Sequence, residues 1–170
     1  MQNHFELFQL PPTFAIDSNA LDRAYYEVQN QVHPDKFSTA GNAEKRVAMQ
    51  WATRANEAYQ TLKYPLKRAI YLCRLNGFDL QSESSILMPR DFLMQQISWR
   101  EALEEATSTS DEAGLSALDT TLRHSRSGEI EQLQTLFNQY DFPAAAMAVR
   151  RLMFIEKFGI EVADAYDMLA

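Results

Sequence analysis

The sequence predicts an all-helical protein, and three observations lead there. Apolar residues recur at helical rather than alternating spacing through long stretches, with only 5 glycines in 170 residues to interrupt them. Prolines and small polar residues fall between those stretches, where helices should start and stop. The single cysteine, Cys73, excludes an internal disulfide or a thiolate metal cage as the organising principle. At 46% hydrophobic the chain can bury one ordinary core or two small ones.

Taken in order, residues 4–9 form a short helix that turns Phe5, Leu7 and Phe8 toward the helices C-terminal to it, and Pro11-Pro12 ends it. Asp17, Ser18 and Asn19 are candidate N-caps for a helix over 21–32, whose stripe is Leu21, Tyr25, Val28 and Val32. Pro34 biases His33 away from helical angles and stops that helix. A second long helix begins near Asn42. Its Ala48, Ala52, Ala55 and Ala58 allow close approach to the first, with Trp51 and Tyr59 filling the ends of the core. A further helix over 65–76 opens on Pro65 and closes before Gly77. Cys73 reads as a small core residue.

Residues 81–85, Gln-Ser-Glu-Ser-Ser, read as part of a linker over 77–88. Met88-Pro89 opens a helix to about Ala106, followed by a turn and cap at Ser108–Ser110. The next helix carries Leu115, Leu118, Leu122, Ile130, Leu133, Phe137 and Tyr140, with a kink or break expected at Ser125–Gly128. Asp141 and Pro143 start a last helix that runs to the C-terminus. Three long helices with short connections make an antiparallel bundle. The expected organisation is thus 1–76, a linker over 77–88, and 89–170.

Charge divides the chain the same way. Residues 1–76 hold nine Lys/Arg against seven Asp/Glu, a net of +2, whereas 77–170 hold seven against sixteen, −9. Such asymmetry favours two units with different partners. An acidic balance without a basic stripe argues against nucleic acid. No apolar run approaches membrane length and no cationic stretch leads into an apolar leader, so a cytoplasmic setting is expected. His4, His33 and His124 show no metal-ligand spacing, and no phosphate loop or nucleophile elbow is present. Neither a resident cofactor nor a catalytic activity is expected of the chain itself.

Two stretches carry a binding function instead. His33-Pro34-Asp35, followed by Lys36, sits at the turn of a helical hairpin, displayed to a partner. On the helix after Pro89, 100° steps from Phe92 place Phe92, Trp99, Leu103 and Ala106 within about 40° of each side of zero, the core stripe. Leu93, Ile97 and Met94 fall at roughly 100°, 140° and 200°, beside Glu101 and Glu104. That second apolar face needs a cover, either the first unit or a partner. On the last helix Leu152, Met153, Phe154 and Ile155 are consecutive and cannot share one core, and Arg150 and Arg151 precede them, so a protein-binding surface is expected there too.

Helix, His-Pro-Asp turn, helix resembles the J-domain of DnaJ-type co-chaperones. Asn56-Glu57-Ala58-Tyr59-Gln60-Thr61-Leu62, Pro65-Leu66-Lys67-Arg68-Ala69-Ile70-Tyr71-Leu72 and Phe92-Leu93-Met94 make the whole chain similar to the HscB family. That resemblance implies a J-domain and a three-helix bundle in an L-shaped arrangement. It implies a DnaK-class, HscA-like ATPase chaperone contacting His33, Pro34, Asp35 and Lys36, with Arg23, Lys45 and Arg46 as neighbouring cations. It further implies an IscU-like iron–sulfur scaffold contacting Leu93, Met94, Ile97, Glu101, Glu104 and Phe154. A holdase for assorted unfolded clients is the alternative for the C-terminal unit. Four departures stand out. Only Arg23 supplies a cation within 21–32, where J-domains usually have several. Met153 stands where the family often has a basic residue, and Ser98 where it often has an acidic one. The N-terminal cysteine metal site of some eukaryotic relatives is absent.

Overall fold

The computed structural model describes residues 2–80 and 88–169. The expected linker at Gln81–Ser85 lies outside the described residues. Among the described residues the α-helices are, in order, α1 (His4–Leu7), α2 (Ser18–Gln31), α3 (Asn42–Lys63), α4 (Pro65–Leu75), α5 (Arg90–Ser108), α6 (Glu112–Asn138) and α7 (Phe142–Leu169). A 3₁₀ turn, Pro34–Phe37, lies between α2 and α3. The chain divides into two compact units, Met1–Leu75 and Asn76–Ala170.

In the first unit α3 is the hub, packing against α1, α2, α4 and the 3₁₀ turn. Ala55 and Ala58 are fully buried, so α3 lies close to its neighbours without a bulky spacer. Phe5, Leu21, Leu62, Ala69, Leu72 and Cys73 complete the interior. Burial pushes the Cys73 thiol up to about 11, so it stays protonated and inert. Asp17 caps α2 by accepting the backbone N–H groups of Asn19 and Ala20 at 3.0 and 3.2 Å. Trp51 departs from its expected place in the core. It is 37% exposed, under the Arg54 guanidinium at 5.0 Å, because α2 is ending where Trp51 emerges from α3.

Arg68 is the buried cation of this unit. Its guanidinium donates to the Leu62 carbonyl at 2.8 Å, near the C-terminal end of α3, and lies 4.8 Å from the centre of the Phe14 ring. One arginine therefore ties α4, the end of α3 and the loop before α2 together. Arg68→Ala should destabilise the protein by about 2 kcal/mol, read as a lower urea midpoint. Arg68→Met, which keeps the apolar stem, should lose less.

His4 also joins distant segments. Its ring stacks on Tyr71 at 4.4 Å and its backbone N–H donates to the Tyr71 hydroxyl at 2.9 Å. Burial lowers the imidazole pKa; Glu57 opposes that shift, and Arg74 and Arg54 add to it. The unfolded chain thus binds this proton more readily than the folded one. The associated stability is complete above the ordinary imidazole pKa and is lost as pH falls through the lowered folded value. Between about pH 7.5 and about pH 5.5 the urea midpoint should fall. His4→Phe, which keeps the ring stack, should fall less over the same interval.

The second unit is a three-helix bundle in which α6 and α7 form the main antiparallel pair. Leu115, Leu118, Leu122 and Leu133 of α6 meet Val149, Leu152, Ile155 and Val162 of α7 in the interior. The third helix, α5, adds an aromatic seam. Phe92 sits edge-on to Trp99 and Phe154, while Trp99 and Phe154 each stack on Phe158. Of the kink or break expected at Ser125–Gly128, the break does not occur: α6 is continuous through it. Two ion pairs join this stretch of α6 to α7, Arg126–Glu156 at 3.4 Å from within it and Arg151–Glu129 at 2.8 Å directly after it. Thr109 closes α5 within the expected turn, but Ser108–Ser110 do not cap the following helix. Asp111 does so, accepting the Gly114 N–H at 3.0 Å.

Candidate functional site: two exposed surfaces

The tripeptide is displayed by helix geometry. Val32 ends α2, donating its N–H to the Val28 carbonyl, and His33 then takes extended angles (φ −60°, ψ 137°) ahead of Pro34. The His33 Nδ1 accepts the Asp35 backbone N–H at 3.2 Å, and the His33 carbonyl accepts the Lys36 N–H at 3.0 Å. Asp35 Oδ2 lies 3.6 Å from His33 Nδ1, yet its side chain is 92% exposed. The turn is therefore internally ordered while its carboxylate faces water. Lys36, Lys45 and Arg46 are exposed around it.

The neighbouring face of α2 is aromatic and polar rather than cationic. Arg23 is exposed, but Asp22 accepts the Tyr59 hydroxyl at 2.7 Å. That bond raises the Tyr59 pKa. Tyr25 stacks on Tyr59 at 4.2 Å and donates to Asn56, and Gln29 donates to the Tyr25 hydroxyl at 2.6 Å. Tyr26 projects beside them, 64% exposed. Hydrogen bonds and stacking occupy positions where a basic helix would carry ammonium groups.

The second surface lies on α5. Phe92, Trp99 and Ala106 are buried as the periodicity requires, and Leu103 packs partly against them. Leu93, Met94 and Ile97 are 40%, 58% and 54% exposed, and Glu101 and Glu104 are exposed near them on the helix. Phe154 is half-buried, its ring stacked on Trp99 and Phe158, so it serves the core as well as the surface. The last helix divides its consecutive apolar residues as expected: Leu152 and Ile155 are buried, Met153 and Phe154 partly exposed. Arg151 is not a free surface charge. It is engaged with Glu129 and with Gln132 at 3.4 Å. The partners could have been found in the sequence, because Glu129 and Arg151 each lie eleven residues from Tyr140, where the antiparallel pair turns.

Sequence reading also missed a groove. Val32, Phe37, Ala43, Glu44, Val47, Ala48 and Trp51 line an open apolar cleft of about 310 Å³. Its signal was Val47, an apolar residue off the buried stripe of α3. Among the described residues no group of three or more His, Cys, Asp and Glu side chains could hold a metal ion, and no helix is long and apolar enough to cross a membrane.

A helix, an ordered His-Pro-Asp turn with an exposed carboxylate, and an antiparallel return helix define a J-domain, the unit that characterises DnaJ-class co-chaperones. Residues 88–163 match the family described as the HSCB C-terminal oligomerisation domain. A co-chaperone protein HscB homolog from Burkholderia multivorans is 52% identical over 167 residues, covering 98% of this chain and 95% of its own. Chaperone HscB from Vibrio cholerae superposes with a TM-score of 0.85 at 39% identity, covering 99% of this chain and 100% of that one. Human co-chaperone protein HscB superposes with a TM-score of 0.89 at 26% identity, over 96% and 81% of the two chains. The chain belongs to the HscB co-chaperone family.

Proposed function

We propose that the protein is a two-headed adaptor of iron–sulfur cluster assembly: it stimulates the ATPase of an HscA-like DnaK-class chaperone and delivers an IscU-like scaffold protein to it. The observation that supports this reading is the pairing of two unlike exposed surfaces in one chain. One is the ordered His33-Pro34-Asp35 turn. The other is the Leu93, Met94 and Ile97 face with its acidic edge. On this reading residues 1–76 are the J-domain, 77–88 the linker and 89–170 the scaffold-binding unit.

Asp35 presents its carboxylate to a cationic group on the ATPase, and His33 and Pro34 fix the direction in which it points. Lys36, Lys45, Arg46 and Arg23 steer the encounter. ATP chemistry belongs to the partner. The tripeptide biases it toward the hydrolysing, client-trapping state, which requires tighter binding to that state than to the other. Leu93, Met94 and Ile97 insert into an apolar surface of the scaffold, Glu101 and Glu104 pair with its basic rim, and Phe154 adds an aromatic edge. Met153 and Ser98 remove a positive and a negative contact respectively, so apolar burial carries more of the affinity. Tethering raises the scaffold's effective concentration near the chaperone's peptide site, so two modest contacts make a selective ternary complex.

Steady-state ATPase measurements on a purified HscA-like chaperone test the reading. Stimulation that saturates with added protein is expected, together with co-elution of the protein and an IscU-like scaffold. Absence of both would overturn it.

A further inference from the structure

Seven methionines and one cysteine are the oxidisable sulfurs of the chain. Cys73 is fully buried and its thiol stays protonated, so it presents no thiolate to an oxidant. Among the described residues the exposed methionines are Met49, Met94 and Met168, at 71%, 58% and 86%. Thioethers held in water are the first sulfurs that a peroxide meets.

Position separates Met94 from the other two. Met49 belongs to α3 and Met168 to the last turn of α7. Met94 lies on α5 within the exposed apolar face, next to Leu93 in sequence and one helical turn before Ile97. Met88, Leu103 and Phe154 are the partly buried apolar side chains that pack on the bundle core at α5, and Met94 is not among them. Its thioether therefore contributes to the face and not to the core of the bundle.

We propose that Met94 is a reversible oxidation switch: hydrogen peroxide converts it to methionine sulfoxide, and the oxidised face releases its protein partner. This inference rests on the scaffold-binding function proposed above and adds the regulation of that surface. The sulfur lone pair attacks one peroxide oxygen, and an S–O bond forms as the O–O bond breaks. The departing hydroxide takes the remaining proton and leaves as water. Sulfur gives up two electrons and the peroxide accepts them. A flexible apolar side chain thereby gains a strong hydrogen-bond acceptor. Burying that oxygen against an apolar partner surface costs its hydration without a bond in return. A thiol-dependent sulfoxide reductase reverses the change, with two thiols leaving as a disulfide and the oxygen as water. Asp35 is untouched by this chemistry, so oxidation uncouples delivery of the scaffold from stimulation of the ATPase.

The test is calorimetry with an IscU-like scaffold, after the full-length protein alone has been treated with hydrogen peroxide and desalted. Peptide mass mapping records which methionines have gained an oxygen. Wild type oxidised at Met94 should bind about tenfold more weakly, with an unchanged circular dichroism spectrum. Sulfoxide reductase with a thiol reductant should restore the original Kd. Met94→Leu, which conserves volume, should bind within about twofold of untreated wild type before and after peroxide. Met94→Gln, polar without any oxidant, should bind about tenfold more weakly from the start. Met49→Leu combined with Met168→Leu should respond to peroxide as wild type does. An unchanged Kd with Met94 fully oxidised would overturn the switch while leaving scaffold binding intact. Equal loss of affinity in peroxide-treated Met94→Leu would also overturn it, assigning the effect to another methionine such as Met153. So would a Met94 that stays reduced while Met49 and Met168 are oxidised. Absence of scaffold binding by untreated wild type would overturn both readings.

Discussion

Asp35→Asn should abolish stimulation of the chaperone's ATPase, an effect of at least about tenfold, while scaffold binding stays within about twofold of wild type. The substitution is nearly isosteric and removes one negative charge. It leaves the turn intact, because the bonds that order it come from the Asp35 and Lys36 backbone N–H groups to His33. The side chain itself is almost wholly in water, so no packing is lost. Circular dichroism and the urea midpoint should therefore be unchanged, within about 0.5 kcal/mol. Any loss of function then belongs to the carboxylate. Loss of scaffold binding in the same variant would contradict the separation of the two surfaces.

Leu93→Ala combined with Ile97→Ala should do the reverse. Both side chains stand outside the α5 core stripe, so the bundle should keep its stability while the apolar anchor of the second surface is removed. Two central aliphatic contacts in an interface are worth about 3 kcal/mol together, roughly a hundredfold in Kd for the scaffold. Calorimetry with an IscU-like scaffold would measure it, and ATPase stimulation in the scaffold's absence should be preserved. Phe154→Ala is the poorer probe. Its ring is stacked on Trp99 and Phe158, so its removal would confound binding with a cavity in the bundle.

The helices of both units were legible because their starts and stops carry strong local chemistry. Asp17 caps α2, Pro65 opens α4, Asp141 accepts the Ala144 N–H at the start of α7, and Gly77 follows α4 with a positive φ of 90°. The exposed tripeptide followed from Pro34, and the second face of α5 followed from 100° steps around a helix that needs only one face for its core. Other features were hidden because they depend on partners distant in sequence. Trp51 lies on the apolar stripe of α3, and only the end of α2 at Gln31 leaves it partly exposed. Gly128 weakens a helix locally, but α6 is continuous through it, joined there to α7 by two ion pairs.

Helix ends supplied a subtler case. After α1, α5 and α6 the chain turns through Gln9, Ser110 and Tyr140, all with φ between 51° and 56°. None is glycine, the residue that ordinarily marks such a closure. In each, the next residue's N–H returns to a carbonyl five residues earlier: Leu10 to Phe5, Asp111 to Ala106, and Asp141 to Leu136. Those backbone bonds offset the cost of a left-handed residue carrying a side chain. The closures at Ser110 and Tyr140 also set where Asp111 and Asp141 fall, and so where the following helices are capped.

The most direct measurement is single-turnover ATP hydrolysis by an HscA-like chaperone with this protein and an IscU-like scaffold added separately and together. A two-headed adaptor predicts acceleration by the pair greater than the product of the separate accelerations, and loss of that excess in the Leu93→Ala, Ile97→Ala variant. Acceleration by this protein that is indifferent to the scaffold would contradict delivery and leave a J-domain protein serving a different client.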